Sequence, residues 1–197
     1  MNEPTLEADK KQLLVEYNRP ASKAALDVAE AELNLILPGY LREFYLRHDG
    51  LQCYEKMADG SRELRWQIVG ADRNNIQVEP ANNERERREF LEFYEKYAGD
   101  EPLLAFVTNE FREWLEEIYE EEDAARFDGG DFPERYVCVA VHWNNHQTMW
   151  AKCGEPPDNL VSIDSPKFLT TEKLAACLDE KSIKFTAFLR QLQGEKI

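Results

Sequence analysis

Imidazole and thiolate are the side chains best suited to acid–base, nucleophilic and metal chemistry near neutral pH, and the chain holds three histidines and four cysteines. His142 and His146 flank Asn144-Asn145, a turn sequence, with Cys138 four residues before His142 and Cys153 seven after His146. On a strand Cys138 and His142 share a face, so with His146 and Cys153 they make a set from which zinc could in principle draw four ligands. The spacings match no ordinary zinc module, and turn histidines beside strand cysteines ordinarily pack or face solvent. No metal and no cofactor is therefore expected, and a metal-dependent hydrolase on these four residues is the reading from the enzyme class against which the others are weighed. His48, beside Asp49 at the end of a helix pattern, suits the negative pole of the helix dipole, which is a structural role. The chain has no G-x-S-x-G elbow, Walker A loop, G-x-G-x-x-G or H-E-x-x-H, so no catalytic residue is expected.

Carboxylates are the other reactive group in quantity. Asp and Glu number 39 against 24 Lys and Arg, a net charge of -15. Such a field repels phosphate backbones and anionic lipid, which disfavours nucleic-acid and membrane-surface roles. An acidic excess also serves solubility alone, so the total names no partner. The distribution says more. Residues 84–123 hold fifteen acids against five bases, which is ten of the fifteen net negative charges in forty residues. Contiguous glutamates on a helix splay around it rather than converge, which suits neither a divalent cation nor an acid–base pair. It does suit a surface for a basic protein, because complementary fields speed encounter without a convergent pocket. The expected contact residues are Glu110, Glu113, Glu116, Glu117, Glu120, Glu121, Glu122 and Asp123.

The elements that position these groups follow from periodicity. Pro20-Ala21-Ser22 opens a helix with Ala25, Val28, Ala29 and Leu33 on one face. Pro38 starts a second, with Leu41, Phe44 and Tyr45 inward and Gly50 as its left-handed stop. Strands are expected over 64–69, 103–107, 136–143, 147–153 and 160–163, the third and fourth forming a hairpin about Asn144-Asn145. Helices are expected over 84–97, from Thr108 or Asn109 to the acidic run at 120–123, and over 182–192, with their aromatic stripes in the core. Residues 1–20 read as a frayed start, and 197 residues fit one domain. The elements do not alternate as βαβ units, so the fold class is α+β with a largely antiparallel multistranded sheet flanked by helices. The polar, acidic start carries no leader pattern, and Cys53, Cys138, Cys153 and Cys177 lie far apart as free thiols, which together point to a cytoplasmic protein.

The segment from Glu30 to Gly50 resembles the opening motif of the SUKH superfamily. Glu30 and Leu33 on a helix, Leu37-Pro38, then Tyr40 and Phe44 on a helix closed by Asp49-Gly50 fall in step with it. Pro156-Pro157-Asp158-Asn159-Leu160-Val161 is similar to the family's late strand, and Phe185 to Leu189 to its closing helix, while 70–130 departs, as an insertion or a divergent acidic helical part. The resemblance implies an α+β fold without enzymatic activity or family catalytic residues. It also implies protein recognition, as in bacterial relatives that neutralise toxins and fungal relatives that regulate cell-wall synthesis as interaction hubs. The expectation is an immunity protein for a cognate toxin domain, a basic nuclease among the candidates. The alternative is a regulatory or scaffold module without a toxin partner.

Overall fold

The computed structural model describes residues 13–72, 84–119, 125–154, 158–164, 169–180 and 182–194. Helix α1 (Lys23–Leu33) starts at Ser22, whose hydroxyl accepts the Ala25 N–H at 3.1 Å. It ends at Asn34, in the left-handed region at φ 51°. Its buried face is Leu26, Ala29 and Leu33. Val28, expected inward, is 47% exposed, because Leu26 rather than Val28 completes the stripe with Ala29 and Leu33. Glu30 ties α1 to the next helix and the link before it: one carboxylate oxygen accepts the Leu37 N–H at 2.9 Å and the other meets the Arg42 guanidinium. Arg42 also reaches Asp27 at 2.6 Å. Pro38 caps α2 (Gly39–Arg47), where its missing N–H costs nothing, and Leu41, Phe44 and Tyr45 are buried as expected.

Gly50 is not the helix cap its position suggested. Helix α2 ends at His48 in an extended conformation, and Gly50 adopts φ 86° two residues later for a different reason. A Cβ there would lie 2.3 Å from the Ile68 carbonyl oxygen, so the two backbones meet at a distance only glycine permits. Gly70 makes the reciprocal approach, with a Cβ position 2.8 Å from the Asp49 carbonyl. The buried Asp49 carboxylate then accepts the N–H groups of Ala71 at 2.6 Å and Asp72 at 2.8 Å. The Asp-Gly pair is thus a long-range joint between the end of α2 and the end of a strand.

That strand is β3 of a single antiparallel sheet of seven strands, neighbouring in sequence order. They are β1 (Leu13–Tyr17), β2 (Leu51–Lys56), β3 (Arg62–Ile68), β4 (Tyr136–His142), β5 (Thr148–Lys152), β6 (Asn159–Ile163) and β7 (Ser182–Lys184). The expected hairpin is β4–β5, and the protein is a single-sheet α+β fold as expected. Two expectations change. Residues 13–17, assigned to a frayed start, pair along their length with β2, while 1–12 lie outside the described residues. Ser182–Lys184, assigned to the last helix, pair with β6, and α6 is Phe185–Leu192. Helix α5 (Thr171–Glu180), which packs on β6, was not anticipated.

Adjacent residues alternate between the faces of the sheet. Cys53, Trp66 and His142 align across β2, β3 and β4 on one face, where Phe188 of α6 meets the Trp66 ring at 5.2 Å. Gln52, Gln67 and Val141 align on the other. That second face receives α3 (Glu84–Tyr97) and α4 (Leu103–Glu116). The expected strand 103–107 is the first half of α4, started by Pro102. Leu103 to Thr108 are all buried, and a helix buried on every side shows the same short apolar run as a buried strand. Thr108, expected as a cap, instead donates its hydroxyl to the Leu104 carbonyl at 2.7 Å and accepts the Cys138 N–H at 3.2 Å, at a bulge in β4. Among the described residues no helix is long and apolar enough to cross a membrane.

Candidate protein-binding surface

Helix α4 changes character half-way. Beyond Thr108 it buries only Leu115 and half-buries Phe111, while Ile118 and Tyr119 are half-buried just past its end and its outer face is acidic. Glu113, Glu116 and Glu117 are exposed and Glu110 is half-buried. Glu120, Glu121, Glu122 and Asp123 lie outside the described residues. The one base of this stretch, Arg112, is turned inward: its guanidinium donates to the carbonyls of Glu134 at 2.9 Å and Tyr136 at 2.8 Å. Among the described residues no Lys or Arg forms an ion pair with Glu110, Glu113, Glu116 or Glu117. Burial, then the neighbouring Glu113 and Glu101, push the Glu110 carboxyl above the usual glutamate range.

The aromatic stripes are not all core. Tyr94 of α3 is buried, packs on Phe106 of α4 with ring centroids 5.1 Å apart, and donates its hydroxyl to the Glu101 carbonyl at 2.6 Å, which fixes α3 on α4. Its neighbours Phe93 and Tyr97 are 41% and 59% exposed, and Trp114 of α4 is 45% exposed. Between the two helices and the sheet lies a cavity of about 430 Å³. Its floor is Gln67, Val69, Val141 and Trp143, and its walls include Phe93, Val107, Phe111 and Trp114, with Glu89, Glu110 and His146 among the lining. The Trp143 indole N–H donates to Gln67 Oε1 at 3.1 Å, so this part of the floor is internally satisfied. Sequence reasoning placed Glu110 here and missed Phe93, Trp114 and Trp143. The sequence held no local signal for this: Phe111, Trp114, Leu115, Ile118 and Tyr119 fall at the i, i+3, i+4, i+7, i+8 spacing of a single core-facing stripe, which places Trp114 in the core.

The opposite face has a cavity of about 560 Å³, lined by residues that include Cys53, Glu55, Arg65, Trp66, His142 and Phe188. Its charges are matched internally: Arg65 pairs with Glu55 at 2.6 Å and Glu63 at 3.1 Å. Burial, then Arg65, hold the His142 imidazole down to about 4, and its Nδ1 accepts the N–H groups of Asn144 at 3.3 Å and Asn145 at 3.4 Å. Burial pushes the Cys53 thiol up to about 11 and the Cys153 thiol up to about 12, and raises Cys138 as well. At neutral pH these three thiols are protonated and the His142 imidazole is neutral, so none of the three is a thiolate nucleophile. Nor does the sequence tetrad assemble: His142 lines this cavity, His146 lines the one on the other face, and Cys138 is buried against α4. Among the described residues no group of three or more His, Cys, Asp or Glu is placed to hold a metal ion.

Glu30 tied to Leu37 and Arg42, the proline start of α2 and the Asp49-Gly50 joint to β3 are the working parts of the opening motif, and the model of the SMI1 / KNR4 family (SUKH-1) matches residues 20–159. The chain belongs to this family. The SUKH-1 match reaches from before α1 through α3, α4 and the β4–β5 hairpin, so both the joint and the acidic groove lie inside it. It stops at the start of β6, leaving α5, β7 and α6 beyond it. Among curated proteins no match is found.

Proposed function

We propose that this SUKH-1 protein is a non-catalytic, cytoplasmic protein-binding domain that acts as an immunity protein, neutralising a cognate bacterial toxin domain by direct contact through the outer face of α4. The observation that carries this reading is the row Glu110, Glu113, Glu116 and Glu117 on a helix whose only base is committed to backbone carbonyls. Acids that served internal structure would have internal partners, as Glu30 and Asp49 do. Outward acids steer a basic partner such as a nuclease and exclude nucleic acid and anionic lipid. The free, buried cysteines suit a reducing compartment. Glu120 to Asp123 belong to the same proposed surface by sequence.

Co-expression with the product of the adjacent gene tests the reading. Rescue of growth from a toxic product, with a one-to-one complex on co-purification, supports it. A non-toxic neighbour and no captured basic protein would leave the regulatory or scaffold role, which SUKH-1 membership also accommodates, as the better account.

A further inference from the structure

The acidic row alone does not say what docks, but the cavity beside it is more specific. It is the place where two of the exposed large aromatics, Phe93 and Trp114, meet an apolar floor of Val69, Val141 and Trp143. Its lining includes Glu110 and, among the described residues, no lysine or arginine. A cavity of about 430 Å³ admits one or two side chains of an incoming segment rather than a folded element. A purely apolar guest would bury Glu110 further without compensation, whereas a cation relieves it. A second copy of the chain would bring Glu110, Glu113 and Glu116 against acids of the same kind at a net charge of -15 each, which like-charge repulsion opposes.

Resting on the protein-binding reading above, we propose that this groove is the anchor point of the contact and takes an arginine- or lysine-bearing apolar segment of the partner. The aliphatic stem lies against Phe93, Phe111 and Trp114, and the cationic head is held at Glu110. A guanidinium or ammonium over exposed Trp and Phe faces adds cation–π attraction to the carboxylate contact, and aromatic pockets of this kind concentrate binding energy in a few residues.

The test uses the full chain and two capped hexapeptides, one of alternating leucine and arginine, the other of alternating leucine and glutamate, with calorimetry and tryptophan fluorescence at low salt. The basic peptide is expected to bind and to shift the emission of Trp114 and Trp143, with the acidic one at least about tenfold weaker. Trp114→Ala, at a 45% exposed position that leaves the fold intact by circular dichroism, is expected to lose about tenfold or more of the basic-peptide affinity. Glu110→Gln is expected to lose about threefold to tenfold, and Glu43→Gln on α2 none. Equal affinity for the two peptides, or unchanged binding by Trp114→Ala and Glu110→Gln, overturns the proposal. So does a wild-type dimer that Trp114→Ala makes monomeric, or at least about tenfold tighter peptide binding when residues 73–83 are replaced by a Gly-Ser linker, which would assign the groove to the chain's own segment. Failure of the toxin reading looks different: peptide selection stays intact while no neighbouring toxin is neutralised. Conversely, a cognate partner bound normally by Trp114→Ala overturns the groove and leaves the protein-binding reading in place.

Discussion

Glu30 and Glu110 are both half-buried glutamates on helices, and they sit in opposite circumstances. Glu30 has a backbone N–H on one oxygen and Arg42 on the other, in a segment where Asp27 and Asp49 are also satisfied by donors from other elements. Glu110 is pushed toward its neutral form by burial and by other carboxylates, on a helix whose arginine faces elsewhere. The first region spends its acids on holding α1, α2 and β3 in register, whereas in the second no Lys or Arg among the described residues pairs with Glu110, Glu113, Glu116 or Glu117. On the proposed reading, a carboxylate's partners, rather than its number in a cluster, separate a structural acid from a recognition acid.

The largest effect that sharpens this contrast comes from the joint. Gly50→Ala forces a Cβ toward a backbone carbonyl at a positive φ and should cost about 3 kcal/mol or more, read as a lower urea midpoint. Glu30→Gln leaves Arg42 with Asp27 as its remaining carboxylate and weakens the Leu37 contact, and should cost about 1–2 kcal/mol with the exposed face of α4 unaltered. The opposite sheet face gives a pH effect. His142 titrates near 4 in the folded protein and near 6.5 when unfolded, so the unfolded chain binds more protons between those values. Its contribution is complete above pH 6.5 and declines as pH falls toward 4, and His142→Gln should remove that slope from the unfolding free energy. The smallest stability effect is expected at Glu110. Its folded pKa lies above the unfolded one, so the charged form carries a penalty at neutral pH that disappears as pH falls through the folded value. Glu110→Gln should leave stability at pH 7 unchanged or slightly raised while weakening the contact. A Glu110→Gln protein as destabilised as Glu30→Gln would erase the distinction between the regions.

The opening helices were legible because their signals are local: Ser22 as a cap, Pro38 as a start, and Leu41, Phe44 and Tyr45 as a stripe. Gly50 was legible as a positive-φ position and misassigned in purpose, since the carbonyl that requires it belongs to Ile68, on the far side of a hairpin. Leu103 to Val107 failed for a reason of burial: with every side of the first turns covered, no polar position marks the helical period. The acidic row was visible as composition, but the groove was not. Whether Trp114 and Phe93 are core or surface depends on how Tyr94 and Phe106 set α3 against α4, which is a tertiary fact.

The most direct measurement is the association rate of the full chain with the protein encoded beside it, across a range of salt, for wild type and for Glu110, Glu113, Glu116 and Glu117 all changed to lysine. For the lysine variant an association rate at least about tenfold slower at low salt is expected, with loss of the wild-type salt dependence. Equal rates and an equal salt slope in the two proteins would contradict it.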